Sequence, residues 1–179
     1  FFSQGILPLY GISMLSRPIK KESSLFLVLN ASENFSLHIP ALKESLTFFN
    51  QTPTVFVLPK GDSLHPALQN FGNSSYASLH YNGFNAFLNP ALEEILQECE
   101  VEYLFIAGAR DTHITYTAIG AVDYFIESHS RSSHPLSQGD IHELGKKVCV
   151  LTEATYWNLT PNIPFSEHLQ NHLLQNHLE

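Results

Sequence analysis

Two cysteines, Cys99 and Cys149, are all that this chain of 179 residues contains. They cannot build the dense disulfide framework of a small secreted scaffold, and they read as small buried residues at a helix end and in a strand. Positive charge is equally scarce. Lys and Arg number 9 against 17 Asp and Glu, a formal net charge of −8 with histidine neutral. The one local basic group, Arg17, Lys20 and Lys21, is too small to follow a phosphate backbone, so no nucleic-acid partner is expected. Long apolar runs are missing too. Phe1 to Leu15 is largely apolar, but Gln4, Gly5, Pro8 and Gly11 break it and it is too short for a bilayer, so no membrane partner is expected. A trimmed targeting segment is its weaker reading, and because the chain opens at Phe1, residues upstream are expected to be missing or removed. There is no internal repeat and no low-complexity tract.

What is present suits one globular domain. The hydrophobic fraction is 44% and the charged fraction 15%, ordinary values for a folded chain with a proper core. Glycosylation sequons fall at Asn30, Asn34, Asn50, Asn73 and Asn158. In a chain this rich in Asn, Ser and Thr they are expected by chance, and Asn30 ends a buried strand, so a cytoplasmic location is expected over secretion.

Short apolar runs alternate with helical spacing. Ser24 to Leu29 (SLFLVL), Pro53 to Leu58 (PTVFVL), Val101 to Ala107 and Lys147 to Leu151 read as strands buried on both faces, and Ser78 to Tyr81 as a shorter one. Ile39, Leu42, Leu46 and Phe49 mark a helix over 39–49. Asn89-Pro90 opens another to about Glu98 as N-cap and first-turn proline. Its Glu93, Glu94 and Glu98 read as a solvated face rather than as catalytic carboxylates. Thr112 to Ile126 is a further helix, and Ser166 caps a last one to about His177. Lys60 to Ser75 and the polar stretch 127–146 read as loops, the second an insertion. The organisation expected is an N-terminal extension over 1–22 followed by one α/β domain over 23–179.

Strands alternating with helices imply a three-layer α/β/α architecture, Rossmann-like, with a mainly parallel central sheet. Ligands bind such sheets at the carboxyl ends of the strands, near the topological switch point. The regions to search are therefore Asn30 to Phe35, Leu58 to His65, Tyr81 to Phe87 and Gly108 to Thr115.

Those regions carry a family resemblance. LFLVLNASENF (Leu25 to Phe35) is similar to the opening strand of isochorismatase-like hydrolases, roughly LLVIDMQNDF. YNGFNAF (Tyr81 to Phe87) resembles their KxxxSAF stretch, and FIAGARDTHITYTAIGA (Phe105 to Ala121) their strand, turn and helix, roughly VVTGVxTDxCVxxTAxDA. Order and spacing agree from about Ser23 to Trp157. The resemblance implies an isochorismatase-like fold in which a carboxylate, a lysine and a helix-start cysteine converge. There the activated thiol attacks a carbonyl or nitrile-like carbon, and the helix N-terminus stabilises the oxyanion. This chain departs at each position. The acid falls on Asn30, which cannot serve as a carboxylate base. The lysine falls on Tyr81. The cysteine falls on Ile114 when counted from the strand, or on His113 when counted from the helix, and the two counts stay open. Family members that lack the cysteine keep the acid, so loss of both argues against inherited catalysis.

Other constellations are weaker. Asp62 and His65 in GDSLHP lie where nicotinamidase members place an Asp-x-His metal site, but the spacing here is Asp-x-x-His, and a capped loop is the simpler reading. His168 and His172 share a face of the last helix without a third ligand, and His177 is out of register. No metal or other cofactor is expected. Glu33, Arg110, Asp111 and His113 are the ionisable groups nearest the expected pocket, with Asp111 and Thr112 read first as helix caps, while Gly108 marks a tight turn.

The favoured functional reading is a non-catalytic small-molecule-binding or assembly module on a hydrolase fold. The alternative is a hydrolase of a small C–N or C–O bonded metabolite, with His113 or Asp111 as base and Asn30 or Tyr81 holding the oxyanion. A metal-dependent hydrolase is the third. A small-molecule ligand is one expected partner, and a homo-oligomer is implied by the resemblance alone.

Overall fold

The computed structural model describes residues 9–10, 23–130 and 135–156. Their elements run β1 (Leu9–Tyr10), β2 (Ser24–Leu29), α1 (Ile39–Phe48), β3 (Thr54–Pro59), a 3-10 segment (Pro66–Ser74) and β4 (Ser75–Tyr81). A short 3-10 turn (Ala86–Leu88), α2 (Pro90–Glu98), β5 (Tyr103–Gly108), α3 (Asp111–Ser130), α4 (Gln138–Gly145) and β6 (Val148–Thr155) follow. The last helix expected from Ser166, the His168–His172 pair and the sequon at Asn158 lie outside the described residues.

The strands form one sheet in the order β1-β6-β5-β2-β3-β4, and every pairing among them is parallel. Its two faces are read directly from the strand sequences, because side chains alternate across a strand. Leu25, Leu27, Leu29, Val55, Val57, Leu104, Ile106, Val148 and Val150 face α2, α3 and α4. Phe26, Val28, Phe56, Leu58, Phe105, Cys149 and Leu151 face Leu42 and Leu46 of α1 and the adjacent Phe49. Both faces are covered, which is why each strand is an unbroken apolar run and why the architecture is α/β/α. Burying one such side chain contributes about 1.5–3 kcal/mol.

The chain leaves β2 in one direction, through β3 to β4, and returns on the other side of β2 with β5 and β6. The switch point therefore lies between β2 and β5. Gly108 makes their close approach feasible. Its φ is +128°, and a Cβ there would lie 2.7 Å from Leu29 N and closer still to the Leu29 carbonyl oxygen.

Three sequence expectations are corrected. The stretch 127–146 is not a continuous inserted loop: α3 runs on to Ser130, and α4 occupies Gln138–Gly145. A capping box between Ser137 and Asp140 starts α4, and Ile141 and Leu144 anchor it in the core. The loop read over 60–75 contains the 3-10 segment, and β4 begins at Ser75 rather than Ser78. Within the stretch read as an extension, Leu9–Tyr10 pairs with Val150 and Leu151 as an edge strand of the same sheet.

Candidate functional site

Asn30 follows directly on the last residue of β2, held by its backbone N–H to the Val57 carbonyl at 2.8 Å. It is fully buried and has a left-handed φ of 56°, a conformation asparagine tolerates better than most residues. Its Nδ2 donates to the Ala109 carbonyl at 2.9 Å. That bond orients the amide and leaves Oδ1 on the other side as an acceptor. Tyr81, the last residue of β4, donates its hydroxyl hydrogen to this Oδ1 at 2.9 Å.

His113 completes the group from the first turn of α3. Its Nδ1 lies 3.0 Å from Asn30 Nδ2 and in hydrogen-bond contact with the Tyr81 hydroxyl. Whichever ring nitrogen carries the proton, Nδ1 is engaged inside the trio and Nε2 is the nitrogen left over. The turn that delivers α3 is unusual. Gly108 and Arg110 both have positive φ, at 128° and 67°, and Arg110 is neither glycine nor asparagine, a strain of about 1–3 kcal/mol. The Arg110 carbonyl accepts from Ile114 N at 2.9 Å, and its guanidinium lies 5.4 Å from the Phe35 ring centre.

Relative exposure is 0% for Asn30, 5% for Tyr81 and 9% for His113. Phe84 meets the imidazole edge-on at 5.4 Å between ring centres, and Tyr81 does so at 5.6 Å. Burial moves both titrating groups toward neutrality. The Tyr81 phenol is pushed up to about 12, against smaller opposing effects of the Asn30 hydrogen bond and the Arg110 charge. His113 is held below its ordinary 6.5, first by burial and then by Arg110, with Asp111 opposing. Nothing in the trio carries a charge near neutral pH. The arrangement is a buried cluster of neutral polar groups, with neither the carboxylate nor the cation of an acid–lysine–thiol site.

The two residues that the count of the turn left open are placed differently. Ile114 is fully buried in the core cluster on the α2, α3 and α4 face of the sheet, and His113 is the residue that meets Asn30 and Tyr81. Asp111 stays apart, its Oδ1 accepting from Thr112 N at 2.9 Å at the start of α3. Glu33 is exposed. Asp62 accepts from Ser32 Oγ at 2.7 Å and Asn34 Nδ2 at 3.0 Å, and His65 Nδ1 accepts from Ala67 N at 3.1 Å. Both therefore serve loop geometry. Among the described residues no three histidine, cysteine or acidic side chains are placed to hold a metal ion, and no helix is long and apolar enough to cross a membrane.

Sequence reasoning missed Phe84. Its signal was an aromatic in the Gly-containing turn after β4. It also missed Thr117, whose buried hydroxyl accepts from Ala86 N at 3.0 Å and ties the 86–88 turn to α3.

No family model and no curated protein matches the chain. Solved structures do. A nicotinamidase from Staphylococcus aureus is 17% identical, covering 88% of this chain and 96% of that one at a TM-score of 0.56. An octameric hydrolase of unknown specificity from Escherichia coli is 16% identical, covering 91% and 76% at 0.53. An isochorismatase family protein is 17% identical, covering 86% and 94% at 0.54. The fold is therefore the isochorismatase-like α/β fold. At these identities the likeness reaches the fold and stops short of activity.

Proposed function

We propose that this chain is a non-catalytic bearer of the isochorismatase-like hydrolase fold, working in the cytoplasm by binding a small molecule or by assembling with copies of itself. One observation carries the reading. Asn30 and Tyr81 stand at the positions resembling the family's acid and lysine, His113 at one of the two positions read for the thiol, and the three lie in contact in a buried cluster. A hydrolytic site needs a nucleophile or base free to meet substrate and donors aimed at the developing oxyanion. Here the Tyr81 hydroxyl already donates to Asn30, and the Asn30 amide to the Ala109 carbonyl. The assembly half of the reading draws support from the octameric Escherichia coli hydrolase of the same fold.

A second reading has its own support. His113 points inward and is held neutral, which suits a general base acting through Nε2 on a small C–N or C–O bonded metabolite. Phe84 packs edge-on against that imidazole. The deciding experiment compares the intact protein with His113→Ala on a panel of small amides and vinyl ethers. The expected outcome is no turnover above background in either protein. Turnover in the wild type that vanishes in His113→Ala would establish the second reading instead.

A further inference from the structure

We propose that the cleft between the carboxyl end of β3 and the start of α2 binds a small organic monocarboxylate with an apolar body. This deepens the binding half of the reading above and rests on it; Tyr81 is shared between the cleft wall and the trio, while Asn30 and His113 do not line the cleft. The cleft holds about 440 Å³, within the usual size of small-molecule sites. It lies at the carboxyl ends of β3 and β4, where open parallel sheets bind ligands.

Its chemistry is asymmetric. Lys60 and His80 line it, and none of its described lining residues is acidic. In a chain with 17 acidic and 9 basic residues, a cleft lined by a cation and by no carboxylate favours an anionic group over a cationic one. Asn82 adds amide donors, while Leu88 and Pro90 supply apolar wall. Leu88 is 63% exposed, the most exposed large apolar side chain of the described residues. It sits against the backbone of Gly83, whose added Cβ would come within 3.0 Å of Leu88 Cδ1.

The walls are tied together. Lys60 N donates to the Tyr81 carbonyl at 3.2 Å, and Asn89 Nδ2 donates to the His80 carbonyl at 2.9 Å. His80 Nε2 donates to the Asp62 carbonyl at 3.0 Å. A preformed shape lowers the ordering cost of binding. One lysine matches one negative charge, and a planar carboxylate can accept from Lys60 and Asn82 while its body covers Leu88 and Pro90.

The test is calorimetric titration of the full chain with benzoate, and with benzamide as the uncharged shape control. Benzoate is expected to bind, benzamide to bind at least about tenfold more weakly, and Lys60→Glu to weaken benzoate by at least about tenfold. Lys60 is exposed, and an unchanged melting temperature will verify that this variant folds. Leu88→Asn is a second, independent variant, expected to weaken benzoate more than acetate. No benzoate binding at millimolar concentration, equal binding of benzamide, or indifference to Lys60→Glu each overturns the proposal. So does loss of benzoate binding in a folded His113→Ala variant, which would put the ligand at the trio. Turnover that depends on His113 sinks the non-catalytic reading while leaving the cleft intact.

Discussion

Tyr81 donates its hydroxyl hydrogen to Asn30 Oδ1 at 2.9 Å across 51 positions of sequence, joining the end of β4 to the end of β2 over the intervening β3. The amide is committed on its other side to the Ala109 carbonyl, so Oδ1 has no rotation available by which to find another donor.

Tyr81→Phe keeps the ring and removes the donor. Asn30 Oδ1 is then left in a site from which Asn30 itself is wholly excluded from solvent. A buried acceptor left without its partner costs about 1–3 kcal/mol. Urea denaturation should show a lower midpoint with an unchanged slope. Equal midpoints for the two proteins would mean that the hydroxyl does not make this bond.

His113 gives the protein a pH dependence with a definite sign. Its folded-state pKa lies below the ordinary 6.5, so below that pH the unfolded chain binds more protons than the folded one. Stability from this residue is full above 6.5 and falls as the pH drops through 6.5 toward the folded value. Melting temperatures between pH 8 and 5 should decline on the acid side, and His113→Gln should flatten that decline. A variant curve parallel to the wild type would assign the slope to other groups.

Gly108 and Gly61 test backbone approach against backbone strain. Both have positive φ, at 128° and 92°, but an added Cβ at Gly108 meets the Leu29 backbone, whereas at Gly61 it meets nothing within 4 Å. Gly61→Ala should cost about 1–3 kcal/mol from conformation alone. Gly108→Ala should cost more than about 4 kcal/mol, enough to unfold many domains. Similar melting temperatures for the two variants would refute the close approach.

Where burial wrote the pattern, the sequence was legible. SLFLVL marks β2 to the residue because both of its faces are covered, and Asn89-Pro90 marks the start of α2 because capping is local chemistry. The polar stretch that hides α4 was misread because its helix buries little more than Ile141 and Leu144. Leu9–Tyr10 is too short to stand out in a segment interrupted by proline and glycine. The choice between His113 and Ile114 could not be counted from sequence, since a turn with positive φ at both Gly108 and Arg110 has no standard length. That Asn30, Tyr81 and His113 meet is a fact of three dimensions that no spacing conveys.

The left-handed backbone at Asn30 has a consequence for what can stand there. Glycine, asparagine and aspartate enter that conformation cheaply, and branched side chains do not. The main chain thus screens candidates at this position before any chemistry does. An amide and a carboxylate have the same outline and both pass the screen. A single exchange between them rewrites the position's charge while the turn that carries it keeps its shape.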